Sequence, residues 1–321
     1  MSTPDGNDTQ DTNERDSRDE IVRCTADRGA VRIVAVTATD VAREAVKRHH
    51  ATGAAAIALA RGLTAGLLLA TLTKDEERVT LQLIGGGPLG GLTVDATASG
   101  TARGYVKHVV EIAADVEGAE RPRIAGVVGT DGIVSVIRDL GMRESFRGQT
   151  ALASGEIDED CERYLTESEQ IDSALRCETL TDAEGRLVAV AGVLVQALPG
   201  GRGAAAVSAA RARLHAGALS AALTADPRAA DAGGLVETAL GDVLGMWQAL
   251  DARPVRFHCG CSRERAGATL ALLGAAELAA MILEDGKAEV VCNFCRARHD
   301  FSEAELELIR RELGVGSGPP S

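Results

Sequence analysis

Four of the seven cysteines in this 321-residue chain fall near its C-terminus, in two close pairs. Cys259-Gly-Cys261 is followed by thirty intervening residues and then by Cys292-Asn-Phe-Cys295. Two such pairs are the ligand pattern of a tetrahedral metal site, with Zn²⁺ the ion that four thiolates suit best. The segment that carries them, residues 258–313, is too short to bury much core of its own. Structural zinc supplies on the order of 10–16 kcal/mol of apparent folding free energy. A whole domain nets only about 5–15 kcal/mol. The pattern therefore predicts a small C-terminal module whose fold depends on its metal.

The remaining cysteines, Cys24, Cys161 and Cys177, each stand alone and read as small core residues. Cys161 lies among Asp158, Glu159, Asp160 and Glu162, which disfavour its thiolate. His258 and His299 flank the cluster as reserve ligands, but both read as bystanders. None of the six histidines forms a hydrolase signature with Ser or Cys. Gly85, Gly87 and Gly90 match G-x-G-x-x-G, but strand-like LTVDA follows where a dinucleotide loop needs a helix. A glycine-rich turn between strands is the better reading, and no catalytic residue is assigned.

Composition narrows the partners. The formal net charge is −13, and residues 258–312 hold seven basic against ten acidic residues. Nucleic-acid binders carry the opposite balance. Aromatics are 2% of the chain, too few for base-stacking platforms. The first 20 residues carry seven acids and two arginines and lack an apolar signal core. No apolar run is expected to reach the ~18 residues of a membrane span. The expected location is the reducing cytoplasm, with neither nucleic acid nor membrane as partner.

Patterning predicts an α+β fold: a mixed sheet-and-helix N-terminal body, a helical linker and a small zinc-binding module. The expected boundaries are a disordered acidic tail over 1–20 and the body over 21–203. The linker takes 204–257, the cysteine module 258–313 and a frayed tail 314–321. Strands are expected within 21–40, over 78–84 and 92–96 on either side of a glycine-rich turn, and over 103–109, 124–137 and 187–197. Helices are expected over 40–72, 158–177, the Ala-rich stretch after 204, and 235–250, where Val236, Leu240, Val243, Leu244, Trp247 and Leu250 share one face. Ser302 and Glu305 form a capping box before a last helix.

Three readings of the cysteine module remain open on these residues. It is a permanent staple in an interaction protein, a thiol–disulfide enzyme, or an oxidation-driven unfolding switch. The missing thioredoxin pattern disfavours the enzyme. The switch follows from chemistry, since zinc holds thiolates, and thiolates are what peroxide and hypochlorite attack.

Several motifs in one order resemble the redox-regulated heat-shock protein 33 family of bacterial chaperones, over roughly residues 20–313. FHCGCSRER and VVCNFCRARHDFS resemble its zinc module, and RVTLQLIGGGPLGGLTVDATASGTARGYV its strand-turn-strand block. Tyr164-Leu-Thr-Glu-Ser168-Glu169-Gln170 and Gly192-Val-Leu-Val-Gln196-Ala-Leu-Pro199-Gly200 resemble two further motifs. The acidic tail is an extension, and Leu165 and His299 stand where relatives often carry an aromatic. The resemblance implies an ATP-independent holdase, not an enzyme, inactive while reduced and zinc-bound. It implies Cys259, Cys261, Cys292 and Cys295 as Zn²⁺ ligands. It further implies disulfides Cys259–Cys261 and Cys292–Cys295 on oxidation, loss of zinc, a homodimer when activated, and capture of unfolding client proteins.

Overall fold

One helix organises the larger part of the molecule because its sequence, GAAAIALARGLTAGLLLA, offers no polar face to water. A helix apolar all round must be covered all round, and every residue of it after Gly53 is buried. The computed structural model describes residues 18–74, 77–115, 121–139, 145–200, 202–227 and 231–315.

In chain order the body opens with β1 (Glu20–Ala26), β2 (Val31–Thr37), α1 (Thr39–His49) and the covered helix α2 (Gly53–Ala70). Next come β3 (Arg78–Gly85), β4 (Leu92–Thr97), β5 (Thr101–Val106), α3 (Ala125–Val128), β6 (Gly132–Asp139) and β7 (Phe146–Ala151). They are followed by α4 (Ile157–Glu167), β8 (Ser173–Thr181), β9 (Leu187–Ala197), α5 (Ala204–His215), α6 (Ala218–Ala225) and α7 (Ala232–Leu244). The ribbon β10 (Trp247–Pro254) and β11 (Arg256–Phe257) ends this unit. The C-terminal unit holds α8 (Arg263–Ala271), α9 (Ala275–Glu284), β12 (Lys287–Val291), β13 (Arg298–Ser302) and α10 (Glu303–Val315). The chain divides into two compact units after His258.

The body has two sheets. One is ordered β10-β1-β2-β9-β8, the other β11-β5-β4-β3-β6-β7. All pairings are antiparallel except β11 with β5. Helix α2 packs against β9, β8 and β2 of the first sheet and β4, β5 and β3 of the second. The approach is close enough that a Cβ at Gly62 would lie 2.3 Å from Leu92 Cδ2. The other face of the first sheet, with Val22, Ile33, Val193 and Val195, forms a separate core under α5, α6 and α7.

The α+β architecture is as expected, and several details differ. Residues 204–257 are not a purely helical linker: three helices bury Val207, Leu214, Leu219, Leu235 and Leu240 on the sheet, and 247–254 is a strand. Residues 173–177, expected as the end of a helix, instead open β8, and 125–128, expected as strand, form a helical turn. Of the expected acidic tail, residues 1–17 lie outside the described residues, while Asp19 is 3% exposed. Its carboxylate accepts the backbone N–H groups of Thr39, Asp40 and Val41 at 2.7–2.9 Å, satisfying the orphan donors of α1. Helix α2 also reaches 18 residues and is apolar enough to cross a membrane by length and composition, but 94% of it is buried within the fold.

Arg61 is the one charged residue in α2, and it is fully buried. Its Nη1 meets Glu156 at 3.0 Å and its Nη2 donates to Pro122 O at 2.9 Å. Beside it Arg121 clasps Asp158 through Nη1 at 2.7 Å and Nη2 at 2.9 Å, with Arg176 and Glu178 completing the cluster. Burial alone raises the Asp158 carboxyl, but the charge and hydrogen bonds of Arg121, then Arg176 and Arg61, hold it well below the usual carboxylate range.

Arg121→Met is therefore expected to destabilise the body by about 3–5 kcal/mol at neutral pH, because it strands buried carboxylates. The depressed Asp158 stabilises the fold above its unfolded pKa of ~3.9, and that contribution is lost as pH falls below it. The gap between wild type and variant in urea midpoints should thus shrink under acid.

Candidate metal centre

The turn between β12 and β13 positions half of the site. Strands β12 and β13 pair from Lys287–Ser302 to Val291–Arg298. The turn between them is closed by Cys292 N–H to Ala297 O at 2.9 Å and Arg296 N–H to Cys292 O at 2.9 Å. Arg296 takes a left-handed φ of 62° to make that turn. Cys292 and Cys295 therefore project from one tight corner. Cys259 and Cys261 come from the segment before α8, whose N-cap Ser262 accepts Arg265 N–H at 3.2 Å.

The four sulfurs lie within 4.8 Å of one another. Cys259 Sγ is 3.7 Å from Cys292 Sγ, and Cys261 Sγ is 3.2 Å from Cys295 Sγ. A tetrahedral ion bound at ~2.3 Å to sulfur sets edges of about 3.8 Å, so the group can close around a metal ion. Burial first, then the neighbouring Cys259 and Cys292 sulfurs, pushes the Cys261 thiol up to about 11. A hydrogen bond to Cys259, then burial, pushes Cys295 upward as well. Sulfurs this crowded resist ionising together, and a bound cation inverts that preference. The donor set fits a soft divalent ion such as Zn²⁺.

Little else holds the module. Its core is Ala266, Leu270, Leu278, Ala288, Phe301 and Leu306. Arg263 lies over the Phe301 ring at 4.5 Å and pairs with Glu305 at 2.6 Å. Glu305 also accepts Ser302 N–H at 2.9 Å and its hydroxyl at 2.8 Å, the back-reaching half of the expected capping box. Meanwhile Leu272 and Leu283 are 86% and 87% exposed.

Neither His258 nor His299 belongs to the sulfur group. Cys24, Cys161 and Cys177 are buried in the cores of the body. Burial pushes Cys24 up to about 11 and raises Cys161 and Cys177 well above the ordinary thiol range. Buried neutral thiols are poor nucleophiles; for Cys161, Asp160 and Asp158 add to that effect, as its acidic surroundings predicted. Gly85 ends β3, and Gly87 and Gly90 lie in the turn that leads to β4. The strand β11, which ends two residues before Cys259, was not among the sequence expectations; two residues carry too little pattern to register.

A titration with Co²⁺ is expected to saturate at one ion per chain, with a sulfur-to-metal charge-transfer band. Cys295→Ser should weaken that binding by roughly 100-fold or more, since the ligands' binding energy is the module's folding energy.

The model of the Hsp33 protein family matches residues 19–302. The 33 kDa chaperonin of Shouchella clausii is 35% identical over 297 residues, covering 92% of this chain and 98% of the relative. That of Bacillus subtilis is 35% identical over 293 residues, covering 91% and 98%. Among solved structures, the 33 kDa chaperonin of Thermotoga maritima, a heat shock protein 33 homologue, is similar at 29% identity. It has a TM-score of 0.76 and covers 94% of this chain and 100% of that one.

Proposed function

The chain belongs to the Hsp33 family of chaperones, and from that premise we propose that it is a redox-regulated, ATP-independent holdase of the cytoplasm. The observation that carries the reading is the gathering of four cysteine sulfurs in a unit with only a small apolar core. In the reduced chain Cys259, Cys261, Cys292 and Cys295 hold Zn²⁺ as thiolates. Bound there, the ion supplies the cross-link that the six-residue core does not.

Hypochlorous acid or peroxide is the activating oxidant. The Cys259 and Cys261 sulfurs lose two electrons and form one S–S bond, and Cys292 with Cys295 forms the second. Each hypochlorous acid takes two electrons and a proton and leaves as chloride and water. The sulfurs then no longer serve as ligands, the module loses its cross-link, and helices α5–α7 loosen from the sheet they cover. Two such chains dimerise and hold unfolding proteins against aggregation. Reduction of the disulfides restores the ligand set. No residue acts catalytically, and neither nucleic acid nor membrane is a partner; the net charge of −13 supports that assignment.

The three buried thiols of the body take no part. Their raised pKa values and lack of exposure keep them from competing for oxidant.

The test is to treat the reduced, zinc-loaded chain with hypochlorite and follow zinc with a chelating dye, free thiols by titration, and light scattering of a thermally unfolding client. The expected result is loss of one zinc and four thiols per chain together with suppressed scattering. Zinc loss that merely abolishes all activity would instead mark a permanent staple in an interaction protein.

A further inference from the structure

Strands β10 and β11 are one ribbon that edges both sheets of the body, broken only at Val255. β10 pairs along the whole of β1, whereas β11 pairs with β5 over two residues, Arg256 with Thr101 and Phe257 with Ala102. Arg256 N–H donates to Gly100 O at 2.9 Å and His258 N–H to Ala102 O at 3.1 Å. So short a parallel pairing is weak by itself. Side chains hold it instead. Val255 is buried in the main core and Phe257 packs against that core, with the Arg48 guanidinium 5.0 Å from its ring centre. The ribbon lies so near that a Cβ at Gly100, where φ is +95°, would sit 2.1 Å from Pro254 O.

The alternation of a strand fixes what lies under β11. Lys107 N–H donates to Gly91 O at 2.9 Å, so the odd-numbered residues of β5 turn their backbone groups toward β4. Ala102, Gly104 and Val106 turn theirs to the outer edge. β11 covers only the first part of that edge, while β5 continues to Val106. The last rung, at His258, is followed at once by Cys259. A disulfide between Cys259 and Cys261 draws their Cβ atoms to about 3.5–4.5 Å and bends the chain one residue beyond that rung.

We infer that the outer edge of β5 is a client-binding site: once β11 has let go, an extended segment of an unfolding protein adds to it as a strand. The displaced ribbon defines what fits. Val255 and Phe257 sit two residues apart with their side chains on the same, core-facing side. The preferred client segment is therefore extended, with apolar side chains at alternate positions. Main-chain bonds to the edge supply affinity regardless of sequence. This inference rests on the redox reading above, which supplies the release of β11.

Hydrogen exchange on the full chain tests it, in the reduced form, after hypochlorite, and after hypochlorite with thermally unfolding citrate synthase. Oxidation should speed exchange at Arg256 and His258, and client should then slow Ala102, Gly104 and Val106, each by roughly tenfold or more. A peptide of residues 252–258, ARPVRFH, should compete for client capture, and the same peptide with Asp at the two apolar positions should not. Val106→Pro, which removes an outward N–H beyond β11, should leave zinc release intact and lose most of the scattering protection. The exchange and peptide experiments use the unaltered chain and decide the matter should that variant misfold. An oxidised chain that keeps citrate synthase from aggregating while the 102–106 amides stay open would overturn the edge site and leave the holdase standing. An oxidised chain that holds no client overturns both.

Discussion

The body depends on a helix that has no outside. Once α2 is apolar on every side, both sheets must approach it, and their strands must present apolar faces inward. The exception within it, Arg61, then dictates a second set of residues. A guanidinium in that interior needs carboxylates nearby, and Glu156, Asp158 and Glu178 arrive from the residue preceding α4, from α4 itself and from β8. Arg121 and Arg176 balance the added negative charge. The cluster thus ties helix, loop and strand together at one point of an otherwise hydrocarbon interior.

The C-terminal unit is built on the opposite principle. Its described residues form a core cluster of six buried apolar side chains and leave large leucines facing water. Its sulfurs come from two segments more than thirty residues apart in sequence. A body with ample core and a module without one respond unequally to the same chemical insult. Cys259, Cys261 and Cys292 of the module are partly exposed, whereas Cys24, Cys161 and Cys177 are sealed in the body's cores.

Legibility in the sequence followed the range of the interactions. The gathering of Cys259, Cys261, Cys292 and Cys295 was readable because two close cysteine pairs are a local spacing pattern. The turn between β3 and β4 and the strand over 187–197 were readable because Gly clusters and β-branched runs are local signals. β8 was hidden because both of its faces are covered: Ser173 through Thr179 are all buried, which erases the alternation that marks a strand. β10 was hidden because Trp247 and Leu250 happen to stand three apart, mimicking a helical face, while its identity as a strand comes from pairing with β1 more than two hundred residues earlier. The charge cluster left no trace, since Arg61 and Glu156 are separated by 95 residues and neither carries a motif. β11 is defined wholly by the edge it meets.

The helices over the first sheet carry a thermal consequence. α5 through α7 bury chiefly alanine, valine and leucine, with Ala210, Ala222, Ala232 and Ala239 among the contact residues. The alanines let the helices lie close to the sheet, while eight of the twelve residues they bury are valine or leucine. Detaching the helices therefore exposes substantial apolar area, and that step carries a matching positive heat-capacity change. Its enthalpy rises with temperature in proportion, so release of the cover grows steeper in temperature the hotter the chain becomes.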